Sequence, residues 1–182
     1  MNNRLFLIII GLGILSAFIG IIMTNLASEY EMIDLGWNLF DYGLRIGGFI
    51  GFFMLLSNGT FIKTKYFKIA QGIFAIVIIG VLLKIMHWTA YANHIIVVGL
   101  IGIATSYLLS FLKKPIKKRL DYLKLIWVIT SYSCGILAFL HLIKREYAEL
   151  GTYVLWLTII DFAITGLKNG TIFKEKPAGN NV

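Results

Sequence analysis

The sequence contains one cysteine, two prolines and nine acidic residues in 182 positions. The single Cys134 excludes a disulfide within the chain and any metal cage made of cysteine alone. Pro115 interrupts a basic stretch, and Pro177 lies near the C-terminus. The nine Asp and Glu are set against seventeen Lys and Arg, a formal charge of +8. There is no Gly-rich phosphate loop, no HExxH pair and no nucleotide fingerprint. Ser133 and Cys134 have no histidine at matching depth, since His141 follows about two helical turns later. The segments between apolar runs are too short for a soluble catalytic domain. The chain therefore reads as non-enzymatic, and no cofactor is assigned.

What the sequence does have is apolar surface. It is 58% hydrophobic and 14% charged, with a mean hydropathy of +0.81. A soluble domain is nearer about 45–50% apolar. One small core cannot hide that excess, so a lipid bilayer is the expected solvent and partner. The basic residues fall between apolar runs rather than along one helix face, which argues against nucleic acid as a partner.

Six apolar segments can be marked, at 5–26, 42–57, 69–88, 95–112, 125–143 and 152–167. A membrane helix needs about 20 residues, so the shorter segments require a few flanking positions. The expected fold is an all-α, polytopic membrane bundle of six helices. The first run is longer than the apolar part of a secretory signal, which argues against its cleavage.

Charge alternates between the connections. Residues 27–41 carry Glu29, Glu31, Asp34 and Asp41 without a single Lys or Arg, whereas residues 113–124 carry six basic residues against Asp121. Arg4, the second and fourth connections and the C-terminal end together hold 13 of the 17 Lys and Arg. By the positive-inside rule this places both termini in the cytoplasm of an inner-membrane protein.

The chain also repeats. Asn58-Gly59-Thr60-Phe61-Ile62-Lys63 resembles Asn169-Gly170-Thr171-Ile172-Phe173-Lys174, and Glu29-Tyr30-Glu31 resembles Glu146-Tyr147-Ala148-Glu149. The reading is one membrane domain, 1–176, made of three tandem hairpins at 1–66, 67–118 and 119–176, with a cytoplasmic tail at 177–182. The Asn-Gly-Thr copies read as helix stops with glycine in the left-handed conformation. Gly43, Gly47 and Gly51 recur every four residues, and Gly13 with Ala17 and Ser16 with Gly20 share that spacing. Gly72, Gly80, Gly99 and Gly102 thin the third and fourth segments. Small residues so spaced let helix backbones approach closely, within the bundle or at a subunit interface.

Three polar groups are candidates for chemistry. Asp161 lies near the middle of the sixth segment, with Thr130, Ser131 and Ser133 at similar depth on the fifth. A carboxylate inside a membrane binds an ion or proton, or stays neutral in a hydrogen-bonded helix contact. His87, His94 and His141 approach one membrane surface near Glu29, Glu31 and Asp34, where imidazoles can bind a metal or haem. Their spacing matches no ligand motif, and interfacial rings are common. Arg45 follows Asp41 by four residues and can pair with it along a helix, or alternatively reach Asp34 across the outer loop. Lys84 lies one helical turn inside the outer surface and can snorkel outward.

Lys84-Ile85-Met86-His87-Trp88, a short turn and a Gly-containing apolar helix together resemble the membrane hairpin of GldL-type gliding-motility proteins. There a Lys-Ile-x-His-Trp-Pro-like motif links two membrane helices. The resemblance covers residues 84–112, with Thr89 in place of the proline. That family's long cytoplasmic domain has no counterpart here, and four further helices are present, so its role as a proton-driven rotary component does not transfer intact. The resemblance implies an inner-membrane protein of a Bacteroidota-type bacterium, accessory to a larger complex. The functional expectation is a non-enzymatic accessory or scaffold subunit that contacts other membrane proteins. The alternative is a small transporter or ion-conducting subunit using Asp161.

Overall fold

The computed structural model describes residues 3–170. Residues 177–182, expected as a tail, lie outside them, as do 171–174 of the second repeat copy. Among the described residues the chain is all-helical. The helices are α1 (Asn3–Leu26), α2 (Tyr30–Ser57), α3 (Lys65–Ile85), α4 (Thr89–Leu112), α5 (Arg119–Phe139) and α6 (Leu150–Lys168), with short 3-10 turns at Phe61–Lys63 and Arg145–Glu149. All six are long and apolar enough to cross a membrane. They run from 19 to 28 residues, or about 28–42 Å at 1.5 Å per residue, against a hydrocarbon core of about 30 Å.

Several boundaries differ from the hydropathy reading, each for a local reason. The acidic segment expected as a loop is instead the first three turns of α2. Glu31 sits in its first turn, where the helix dipole favours a carboxylate. Asn38 donates to Asp34 at 3.2 Å, and Arg45 Nε lies 2.7–2.8 Å from both Asp41 oxygens. These i,i+4 pairs stabilise a helix that hydropathy alone cannot see. Similarly, α4 begins at Thr89 rather than 95, and α5 at Arg119 rather than 125. Of the two expected glycine stops, Gly170 is left-handed (φ 60°) but Gly59 is not. Instead α2 closes at Asn58 (φ −89°), whose side chain donates to Met54 O at 2.8 Å.

The chain forms two compact units. The first holds α1, α2 and α6 from Ile159 onward. Here α1 and α2 pack as an antiparallel hairpin along Phe6, Ile10, Gly13, Ala17 and Gly20, an alternating four- and three-residue spacing that keeps one seam buried. The opposing buried positions on α2 include Gly36, Gly43 and Gly47. A methyl group at Gly43 would lie 2.5 Å from the Gly13 carbonyl oxygen, and one at Gly20 would lie 2.5 Å from that of Gly36. The side chain of Ile159 fills the space over Gly51. Asn58 donates to Asn3 at 2.7 Å and ties the open end of the hairpin.

The second unit runs from Gly59 to Thr158. Here α3 and α4 form a hairpin, with α5 beside α4. Val77 and Ile73 of α3 fill the spaces over Gly99 and Gly102, while Ile95 and Ile96 of α4 cover Gly80. Gly72 differs from the other glycines of this hairpin, because nothing lies within 4 Å of its missing side chain. Gly151 packs on Ser131 of α5. The buried hydroxyls donate to their own helices, Ser106 to Gly102 O and Thr158 to Val154 O, both at 2.8 Å. No water is available in a bilayer to satisfy them otherwise.

Candidate functional site

The α3–α4 hairpin of the second unit carries polar structure at both ends. At its turn, α3 stops by a backbone device. His87 takes φ 66°, so its amide reaches Lys84 O at 3.1 Å and the Trp88 amide reaches Leu83 O at 3.0 Å. This is a Schellman closure with histidine where glycine is usual. The end of α5 is built the same way. His141 has φ 59°, its amide reaches Ala138 O at 3.1 Å, and the Leu142 amide reaches Leu137 O at 2.9 Å. Histidine tolerates the left-handed region better than most residues with a Cβ.

This accounts for much of the polarity around residue 87. His87 and His141 are exposed turn residues whose backbone does the work. Lys84, expected to snorkel, lies over the Phe139 ring of α5 at 4.2 Å. A cation over a ring face is attracted by the quadrupole, so the two helix ends are linked. Trp88 and Tyr91 are exposed, as rings at a headgroup layer would be.

The other end of the hairpin is basic. Lys114 binds both oxygens of Asp121 at 2.7 Å, and the same carboxylate accepts the Lys118 amide at 2.8 Å, capping the start of α5. Lys124, one turn further on, is buried. Lys113, at the end of α4, is held charged above the usual lysine range by its hydrogen bond to Tyr66.

The histidines at 87, 94 and 141 are not assembled into a ligand set. Among the described residues, no three His, Cys, Asp or Glu side chains are grouped to hold a metal ion. His94 is exposed on α4, beside an open apolar groove lined by Ile73, Ile76 and Gly99. Asp161 is partly buried and belongs to the first unit, whereas Thr130, Ser131 and Ser133 lie on α5 of the second. Neither unit by itself holds that polar set. Ser133 is exposed, and Ser131 is partly buried against Gly151.

Sequence reasoning missed the Lys114–Asp121 pair. The signal was present, because Asp121 is the one acid between Asp41 and Glu146. It also missed two buried polar atoms without a hydrogen-bond partner, Asn93 Oδ1 and Trp156 Nε1, which no sequence pattern marks.

The class defined by these features is an integral membrane protein of six helices. Residues 72–126 match the family described as the GldL N-terminal domain. The match runs from α3 through the turn and α4 into the start of α5, under a third of the chain, and takes in both polar ends described above. No curated protein and no solved structure matches the chain.

Proposed function

We propose that this protein is a non-enzymatic accessory or scaffold subunit of a larger assembly in the inner membrane, with both termini cytoplasmic. The observation that carries the reading is the GldL N-terminal domain match at 72–126, which takes in most of the α3–α4 hairpin and the basic connection that follows it. Packing supports it. Glycines in both hairpins are spent on close helix contact, and the buried hydroxyls bond to their own helices rather than facing a shared path. The charge bias of the connections supports the orientation, and the repeat supports a succession of hairpins.

Purification from native membranes in mild detergent, without crosslinking, tests the reading. The expected result is co-purification of another membrane protein at fixed stoichiometry. Recovery only as a monomer in every detergent overturns it. Asp161, partly buried in the middle of α6, supplies the competing outcome. Ion flux in liposomes that disappears in Asp161→Asn replaces the scaffold reading with transport.

A further inference from the structure

The basic end of the second unit has more positive charge than its own acids can balance. Asp121 is the one acid between Asp41 and Glu146, and both its oxygens are engaged by Lys114. Lys65, at the start of α3, and Lys113, at the end of α4, converge on one ring, each ammonium 5.7 Å from the centre of Tyr66. The helix ends that present them are tied together, with Thr64 Oγ1 3.4 Å from Ser110 Oγ and the Phe61 ring 5.0 Å from Tyr107. Lys117 lies 5.3 Å over Phe111, which stacks edge-on with Tyr122 at 5.2 Å.

The lysines thus stand on a layer of aromatic rings at the ends of membrane-length helices. Tyrosine rings such as Tyr66 and Tyr122 mark the headgroup boundary, and juxtamembrane lysines there attract anionic lipid. We propose that this end of the second unit is a binding surface for anionic phospholipid headgroups, formed by Lys65, Lys113 and Lys117 at the Tyr66 and Phe111 rings together with the exposed Lys118 next in the chain. A soluble anion would gain the charge but not the aromatic floor at membrane depth, so the lipid is the better fit. This inference stands apart from the subunit reading above, since it needs no protein partner.

The test uses the full chain in mild detergent, titrated with phosphatidylglycerol or with phosphatidylcholine of the same acyl chains, and bound lipid is counted by native mass spectrometry. Each lysine is expected to contribute roughly fivefold, so phosphatidylglycerol should be retained at least tenfold better. The quadruple variant K65Q/K113Q/K117Q/K118Q should lose that preference, and the matching Lys→Arg variant should keep it. If the glutamine variant does not fold, K65Q and K113Q singly should each weaken retention severalfold. Equal retention of the two lipids overturns the proposal, as does a preference that survives all the glutamine substitutions. Displacement of the lipid by equimolar inorganic phosphate overturns it in favour of a soluble anion. Stronger binding of a polyglutamate peptide overturns it in favour of an acidic protein.

Discussion

At the residue scale, the unusual backbone sits at His87 and His141, each closing a helix at φ near 60°. An L-residue there costs about 1–2 kcal/mol relative to right-handed geometry, and glycine avoids the cost while losing some in unfolded-state entropy. His87→Gly and His141→Gly are therefore expected to stabilise the protein by about 0.5–1 kcal/mol each. His87→Val, β-branched, should destabilise it. Unfolding midpoints in mixed detergent–SDS micelles measure both. A loss of stability in the glycine variants would show that the imidazoles make contacts worth more than the backbone strain. The histidines were legible in the sequence as polar residues at a membrane surface. Their backbone role was not, because left-handed closure depends on where the last carbonyls of the helix find amides.

At the element scale, glycines of similar appearance differ in what they do. A Cβ at Gly43 would meet backbone atoms of α1, Gly13 O at 2.5 Å and Ala17 N at 2.9 Å, and no rotamer can relieve that. Gly43→Ala should force α1 away and cost about 1–3 kcal/mol. On α3, Gly72 has nothing within 4 Å, so Gly72→Ala should be neutral or stabilising by up to about 1 kcal/mol through helix propensity. The same micelle titration distinguishes them, and equal effects at both positions would refute this account of the seam. The four-residue glycine spacing pointed to close packing. Which helix would meet each glycine lay in the pairing of faces, which spacing cannot specify.

At the scale of the whole molecule, the strongest expectation is orientation. The fourth connection is rich in Lys and Arg, and the first carries acid without a basic residue. Translocating the basic connection opposes the main topological signal. Single cysteines from Glu31→Cys and Lys117→Cys, each in a Cys134→Ser background, can be probed on intact cells with an impermeant thiol reagent. Labelling is expected at 31 and not at 117. The reverse pattern would invert the orientation and move the basic lipid surface to the other leaflet. Asp121 is a reminder that net charge is not the whole signal. It is a lone acid in a basic run, and the structure uses it to bind Lys114 and cap α5 at once.

The sequence by itself determined the solvent and the class, since six apolar runs in a +8 chain have few stable arrangements outside a bilayer. It also determined the resemblance at Lys84–Trp88, because that motif is local. Tertiary structure decided the rest. The acidic start of α2 became helix because i,i+4 pairs and close packing on α1 outweigh its low hydropathy. Asp161 went to one compact unit and Thr130, Ser131 and Ser133 to the other, a division that depth along a helix does not encode. Burial and short-range hydrogen bonding act through composition and spacing and can be read along the chain. Contacts between distant residues depend on which faces meet, and only the folded molecule settles that.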